Sequence, residues 1–183
     1  LIPSCGHRPM ELTLESVDHI GDMGGTILGS SRGPQHVPDM VTTLQQMGVG
    51  ILFAIGGDGT LRGAGAIAEE ALKRNLPLAV IGIPKTVDND ISFVQTSFGF
   101  NTASSEAARV VASAHNEAKA ARNGVALVKL MGRESGFIAA YSALASSEVN
   151  FCLVPEVTFT LDAFLAALKQ RLERRGHAVI SVA

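Results

Sequence analysis

Apolar runs of strand length alternate along the chain with longer stretches in which apolar residues return every three or four positions. Residues 51–55 (ILFAI), 78–83 (LAVIGI), 125–130 (VALVKL), 150–154 and 178–183 are nearly continuous apolar runs. Such runs predict strands covered on both faces, as in a parallel sheet. Between them, helices are predicted for five segments. Over 37–47, Met40, Val41, Leu44 and Met47 share a face and Gly48 is the stop. Over 61–74, Leu61, Ala64, Ala68, Ala71 and Leu72 point to one side, and NLP at 75–77 ends the run. The other three cover 100–122, with Asn101 or Thr102 as cap and Glu106 in the first turns, 135 to about 147, and about 161–175. Residues 1–24 break into short apolar groups and predict loop with one short strand. Strand and helix alternate over nearly the whole length, which predicts an α/β fold: a parallel sheet with helices on both faces, in one domain over residues 1–183.

The composition fits that plan. The chain has 183 residues, 46% hydrophobic and 17% charged, with a net charge of −2. It holds no basic run of the kind that tracks a nucleic-acid backbone or an anionic membrane, so neither is expected as a partner. Cys5 and Cys152 are far apart and neither has metal-ligand spacing to a histidine, which predicts a reduced, cytoplasmic protein. No apolar stretch reaches membrane-spanning length.

Chemistry gathers where the predicted strands end. The run at 51–55 breaks into Gly56, Gly57, Asp58, Gly59 and Thr60. Glycines there let backbone N–H groups approach an anion, and a helix start beyond them favours negative charge. Asp58 beside a phosphate implies a cation between them; one carboxylate plus phosphate oxygens is how Mg²⁺ is commonly held. The next strand breaks at Pro84 into KTVDND, with Lys85, Thr86, Asp88 and Asp90, and the third runs into MGRES, with Met131, Gly132 and Arg133. In a parallel α/β sheet all three turns fall at the carboxyl edge, where ligands bind. Together they offer what phosphoryl transfer to an alcohol requires: backbone donors and a metal for the donor phosphates, a carboxylate for the hydroxyl proton, and a cation for developing charge. GGTILGSSRG at 24–33 could bring Arg32 to a phosphate.

GGTILGSSRG, IGGDGT, GIPKTVDND, SFGFNTA and VKLMGRESGFIA, in this order and at these intervals, resemble the 6-phosphofructokinases. The ATP-dependent type of plants and trypanosomatids is most similar. GGDGT alone is shared with NAD kinases and diacylglycerol kinases, whereas PKTVDND followed by MGR is specific. The resemblance implies a Rossmann-like three-layer α/β/α domain and the phosphorylation of the C1 hydroxyl of fructose 6-phosphate. It also implies a homo-oligomer, dimer or tetramer, when full length. The family's domain begins with a strand and a nucleotide-binding GG turn and continues into a second domain, so the resemblance implies a fragment, truncated at both ends and inactive in isolation.

Roles follow by matching motif positions. Asp88 would be the base, Asp90 would hold the geometry and charge around it, and Thr86 would bind the transferring phosphoryl group. Asp58 would act through Mg²⁺, with Gly57, Gly59, Thr60 and Lys85 around the donor phosphates and Arg32 near the nucleotide. Met131, Gly132 and Arg133 would meet the sugar phosphate, and Arg133 would offset transition-state charge. Lysine at Lys85 is typical of the pyrophosphate-dependent branch, which has aspartate in place of Gly59. Lysine with glycine is the plant and trypanosomatid combination, so ATP is the expected donor and pyrophosphate the alternative. A catalytically silent subunit that binds nucleotide or sugar phosphate is the second functional class.

Overall fold

The structure, a computed structural model, describes residues 9–30 and 35–183. Cys5 and Arg32 lie outside the described residues. Helix α1 (Leu14–Val17) and a 3₁₀ turn (Ile20–Asp22) come first, then α2 (Val37–Gln46), β1 (Ile51–Gly56), α3 (Asp58–Lys73), β2 (Ala79–Pro84), α4 (Phe100–Ala120), β3 (Gly124–Lys129), α5 (Phe137–Ala145), β4 (Phe151–Leu153), α6 (Leu161–Arg175) and β5 (His177–Val182). Each predicted strand and helix beyond residue 36 is present. Among the described residues before residue 25 the expected short strand is absent: that part of the segment forms α1, held by a reciprocal capping box between Thr13 and Ser16, and the 3₁₀ turn.

The strands pair as a β1–β2 sheet and a three-stranded β3–β5–β4 sheet. In the first, Ala79 N–H donates to Gly50 O at 2.9 Å and Lys85 N–H to Gly56 O at 2.8 Å. The partners advance together along both strands, so the pair is parallel. In the second sheet both pairings are parallel, with Gly124 opposite His177 and Phe151 opposite Ile180.

By compactness the chain divides into two units. The first takes residues up to Ala54 together with Arg62–Gly82. Its core is Val41 and Leu44 of α2 against Ile67 and Ala71 of α3, with Leu52, Val80, Leu76 and Leu78 packed round them. The inner face of α3 is therefore Ala64, Ile67 and Ala71. Leu72, expected on that face, is 76% exposed, because the contact follows the i, i+3, i+4, i+7 row through Ile67 rather than the one ending at Leu72. Arg74 joins the two helices: its guanidinium donates to Glu70 at 2.7 Å, Thr42 Oγ1 at 2.9 Å and Pro38 O at 3.1 Å.

The second unit, Ile55–Leu61 with Ile83–Ala183, contains every described residue singled out for chemistry. Its central strand is β5, in which Ala178, Val179, Ile180 and Ser181 are all buried, the continuous burial that an unbroken apolar run requires. Val111 of α4 packs against Val128 and Val179 on this sheet. Phe100 and Ala107 of α4 pack against Ile138 of α5, and the ring of Phe100 meets Tyr141 edge-on at 5.0 Å. At the opposite end of α4, buried His115 places Nε2 3.3 Å from His177 Nε2 and 3.2 Å from Glu148 Oε2. His177 Nδ1 faces the Arg175 carbonyl at 3.2 Å. A carbonyl only accepts, so that contact is a hydrogen bond in the tautomer that carries the His177 proton on Nδ1. Helix α6 is capped by Thr160, which accepts from Ala163 N–H at 3.3 Å, and closes at Gly176, whose N–H reaches Leu172 O at 2.8 Å.

Two helix starts and one cap differ from expectation. Helix α3 begins at Asp58 rather than Leu61, since Gly56 and Gly57 alone complete the turn; the N–H groups of Thr60 and Leu61 already donate to Gly57 O at 2.9 and 3.0 Å. Helix α4 is entered through Gly99 in a left-handed conformation (φ 83°), with no side-chain cap from Asn101 or Thr102. Helix α5 starts at Phe137, because Ser135 and Gly136 are committed to contacts described below.

Candidate active site

The strand-end turns of the second unit meet. Gly56 accepts from the N–H of Lys85, which sets the start of PKTVDND beside GGDGT. A Cβ on Gly57 would lie 3.5 Å from Thr86 Cβ, and one on Gly56 would lie within 2.3 Å of Thr60 Oγ1. Position 56 must therefore be glycine for the Thr60 side chain to fold back over the strand end. Asp58, Gly59 and Thr60 form the exposed first turn of α3, where helix geometry and dipole favour an anion. Thr60 N–H is used inside the turn, which leaves its hydroxyl as the polar group for a ligand. The surroundings of Gly59 are open, with nothing within 4 Å of an added Cβ.

The 86–90 loop is held by side chains. Thr86, 9% exposed, accepts the Asp88 N–H on Oγ1 at 3.1 Å. Asn89 takes a left-handed conformation (φ 56°), and its Oδ1 accepts the Ser97 N–H at 2.8 Å. That kink brings the carboxylates on either side near enough to interact: the Asp88 carboxyl is held above its ordinary range, first by burial and second by the charge of Asp90. Lys85 and Asp90 are exposed.

MGRESG closes the group. The Ser135 hydroxyl donates to the Asp88 carbonyl at 2.8 Å, across 47 residues of sequence. Gly136 N–H donates to Glu156 Oε1 at 2.7 Å. Gly132 adopts φ 129°, while Met131 and Arg133 are exposed. Thus Gly57, Asp58, Gly59, Thr60, Lys85, Thr86, Asp88, Asp90, Met131, Gly132 and Arg133 all lie on turns that touch one another in one compact unit; Arg32 is outside the described residues. Two participants went unread in the sequence. Glu156 follows strand β4 directly, as the other acidic turns follow theirs, and that pattern could have flagged it. Ser135 left no signal, because only the fold brings it to residue 88.

Among the described residues no group of three His, Cys, Asp or Glu could cage a metal ion. Asp58, exposed on an open helix start, instead suits the mode in which Mg²⁺ keeps waters, takes one carboxylate and bridges to substrate phosphates. No helix among the described residues is long and apolar enough to cross a membrane.

The raised Asp88 pKa has a measurable consequence. Between the unfolded value and the raised folded value the native chain binds more protons than the unfolded one, so stability falls as pH rises through that window. Asp88→Asn removes the penalty. The variant is expected to melt above the parent at pH 7 and to converge with it below about pH 4, where both states of the parent are protonated. Thermal unfolding at the two pH values checks the sign.

A parallel α/β unit whose strand-end turns combine a helix start, a carboxylate pair and an arginine carries the kinds of group that phosphoryl transfer requires. Residues 5–183 match the phosphofructokinase family, and the chain belongs to that family. It is 52% identical, over its whole length, to the ATP-dependent 6-phosphofructokinase of Borreliella burgdorferi, and spans 43% of that protein. It is 54% identical over 97% of its length to the ATP-dependent 6-phosphofructokinase of Trypanosoma cruzi, and spans 36% of it. Among solved structures it is similar to the pyrophosphate-dependent phosphofructokinase of Marinobacter aquaeolei, with a TM-score of 0.71 and 27% identity over 86% of this chain and 42% of that one. The chain therefore spans about two fifths of the length of the relatives it matches.

Proposed function

We propose that the chain is the phosphoryl-transfer part of an ATP-dependent 6-phosphofructokinase, which converts fructose 6-phosphate to fructose 1,6-bisphosphate in glycolysis. The single observation that carries this is the junction of TVDND with GGDGT and MGRES through the Lys85–Gly56 and Ser135–Asp88 hydrogen bonds. Asp88 takes the proton of the C1 hydroxyl as its oxygen attacks the terminal phosphorus of ATP. Its raised pKa makes it a better base than an ordinary aspartate. Asp90 supports that shift, and Thr86, buried against Gly57, turns its hydroxyl to the transferring group. Gly57, Gly59 and Thr60 surround the donor phosphates, with Lys85 and Arg32 completing the nucleotide side. Asp58 would hold Mg²⁺, which would supply positive charge to the donor phosphates. Met131, Gly132 and Arg133 take the sugar phosphate, and the Arg133 guanidinium offsets the charge that grows on the phosphoryl oxygens. We assign residues 1–183 to one phosphofructokinase-type domain of a cytoplasmic homo-oligomer, dimer or tetramer.

Pyrophosphate is the competing donor, favoured by Lys85 and by the likeness to the Marinobacter aquaeolei protein. Gly59→Asp separates the two. The site is open and its φ is ordinary, so the side chain fits and only charge is added; at a helix start that charge does not weaken the fold. Like charges brought together at a binding surface cost several kcal/mol, so kcat/KM for ATP is expected to fall roughly 10²-fold, with much less change for pyrophosphate. Steady-state rates of the protein that carries this chain, with each donor, decide the matter. A parent that prefers pyrophosphate would overturn the ATP assignment.

A further inference from the structure

Two backbone groups fix where the Asp88 carboxylate points, and each is held by a hydroxyl. Thr86 takes the N–H from within the loop, so it moves whenever the loop moves. Ser135 holds the carbonyl from outside, at 2.8 Å, and is only 3% exposed. Its neighbours are also committed. Gly136 N–H is fixed by Glu156, Leu130 N–H donates to Val182 O of the central strand at 2.8 Å, and Gly132 packs so closely on the turn that an added Cβ would lie within 2.1 Å of Ser135 O. Ser135 therefore stands on a rigid turn that also carries Arg133. We propose, on the footing of the phosphofructokinase reaction set out above, that Ser135 is a positioning residue: its hydroxyl ties the base loop to the MGRES turn and sets Asp88 in register with Arg133.

The physical reason is that the base and the arginine act on opposite ends of one displacement, the attacking oxygen and the transferring phosphoryl group. Each is carried on a loop with little regular structure of its own. Among the described residues the 86–90 loop makes no ladder hydrogen bond after Lys85, and without an external tether its carbonyl at residue 88 would turn to water. Orientation errors of an ångström are costly at such a site. Ser135 adds no charge and touches no reacting atom; its effect passes through Asp88.

Ser135→Ala, made in the protein that carries this chain, tests this. The expected result is a fall in kcat of about tenfold, the loss that one ordinary hydrogen bond can account for, with KM for ATP within twofold of the parent. The acid limb of the kcat profile should also shift to lower pH, because a loosened loop lets water reach Asp88 and relieves the burial that raises its pKa. A purely structural serine would lower the melting temperature and leave both kcat and the acid limb in place below it; that outcome, or a kcat within twofold of the parent, overturns the proposal. A parent protein without phosphofructokinase activity overturns the reaction itself and this role with it, whereas an active parent with an unaffected variant overturns the role alone.

Discussion

Asp88→Asn should lower kcat for fructose 6-phosphate by at least about 10²-fold, the lower bound typical for loss of a general base, while KM for the sugar phosphate stays within a few-fold. The amide matches the carboxylate in shape, so the bonds from Thr86 and Ser135 to the residue 88 backbone persist, and the loop should keep its course. What disappears is the capacity to accept a proton. The same substitution relieves the burial and the repulsion from Asp90 that the carboxylate suffers, so the variant should be inactive and more stable together. That combination is diagnostic of a group placed for chemistry at the expense of the fold. A variant with near-normal kcat and a raised KM would instead make Asp88 a binding residue. Steady-state kinetics beside a thermal melt at pH 7 distinguish the two.

The fold was legible where a single element carries its own signature. Strands β1, β2, β3 and β5 sit within one residue or so of the apolar runs that predicted them, but of these only β5 is buried on both faces; Ile51, Phe53 and Ile55 of β1 and Leu127 of β3 are each more than half exposed, against the expectation for such runs. The three candidate turns could be placed at the carboxyl ends of strands from alternation alone, but not at one sheet edge: GGDGT and PKTVDND follow strands of the β1–β2 sheet and MGRES follows a strand of the β3–β5–β4 sheet. Helix starts were less legible, since the decisive groups are backbone or glycine: Gly99 opens α4 with no side-chain cap, and Gly56 with Gly57 starts α3 at Asp58. The buried face of α3 was misplaced at Leu72 because alanines give a weak stripe, and the partner helix α2 chooses which row is covered. Least legible were the ties between turns. Ser135 to Asp88 and Gly136 to Glu156 span 47 and 20 residues, and nothing in the local pattern of a serine or a glycine announces a partner that far away. Motif identity picked out the candidate groups; the structure was needed to find what holds them.

Gly132→Ala should be the most damaging small substitution in the reactive turns. Its φ of 129° is a conformation that side chains rarely adopt, and the new Cβ would lie within 2.1 Å of Ser135 O and 3.6 Å from Ala183 Cβ. The nearest obstacle is backbone, so relief requires the turn itself to move. Strain of this kind costs on the order of 1–3 kcal/mol before any clash is counted, and a shifted turn also displaces the Ser135 hydroxyl from Asp88 and the guanidinium of Arg133 from its place. A melting temperature lower by several degrees and a kcat lower by at least about 10²-fold are expected, the latter because misplacement of about 1 Å is enough for a loss of that size. Gly59→Ala provides the comparison: it sits on an equally reactive turn, but with open space and an ordinary φ. It should leave the melting temperature unchanged or slightly higher, since alanine is the better helix former. Measured side by side, equal losses in the two variants would show that a methyl group is disruptive anywhere near the donor and sugar sites. A loss confined to Gly132 would locate the constraint in the backbone of the MGRES turn, where Arg133 and Ser135 depend on it.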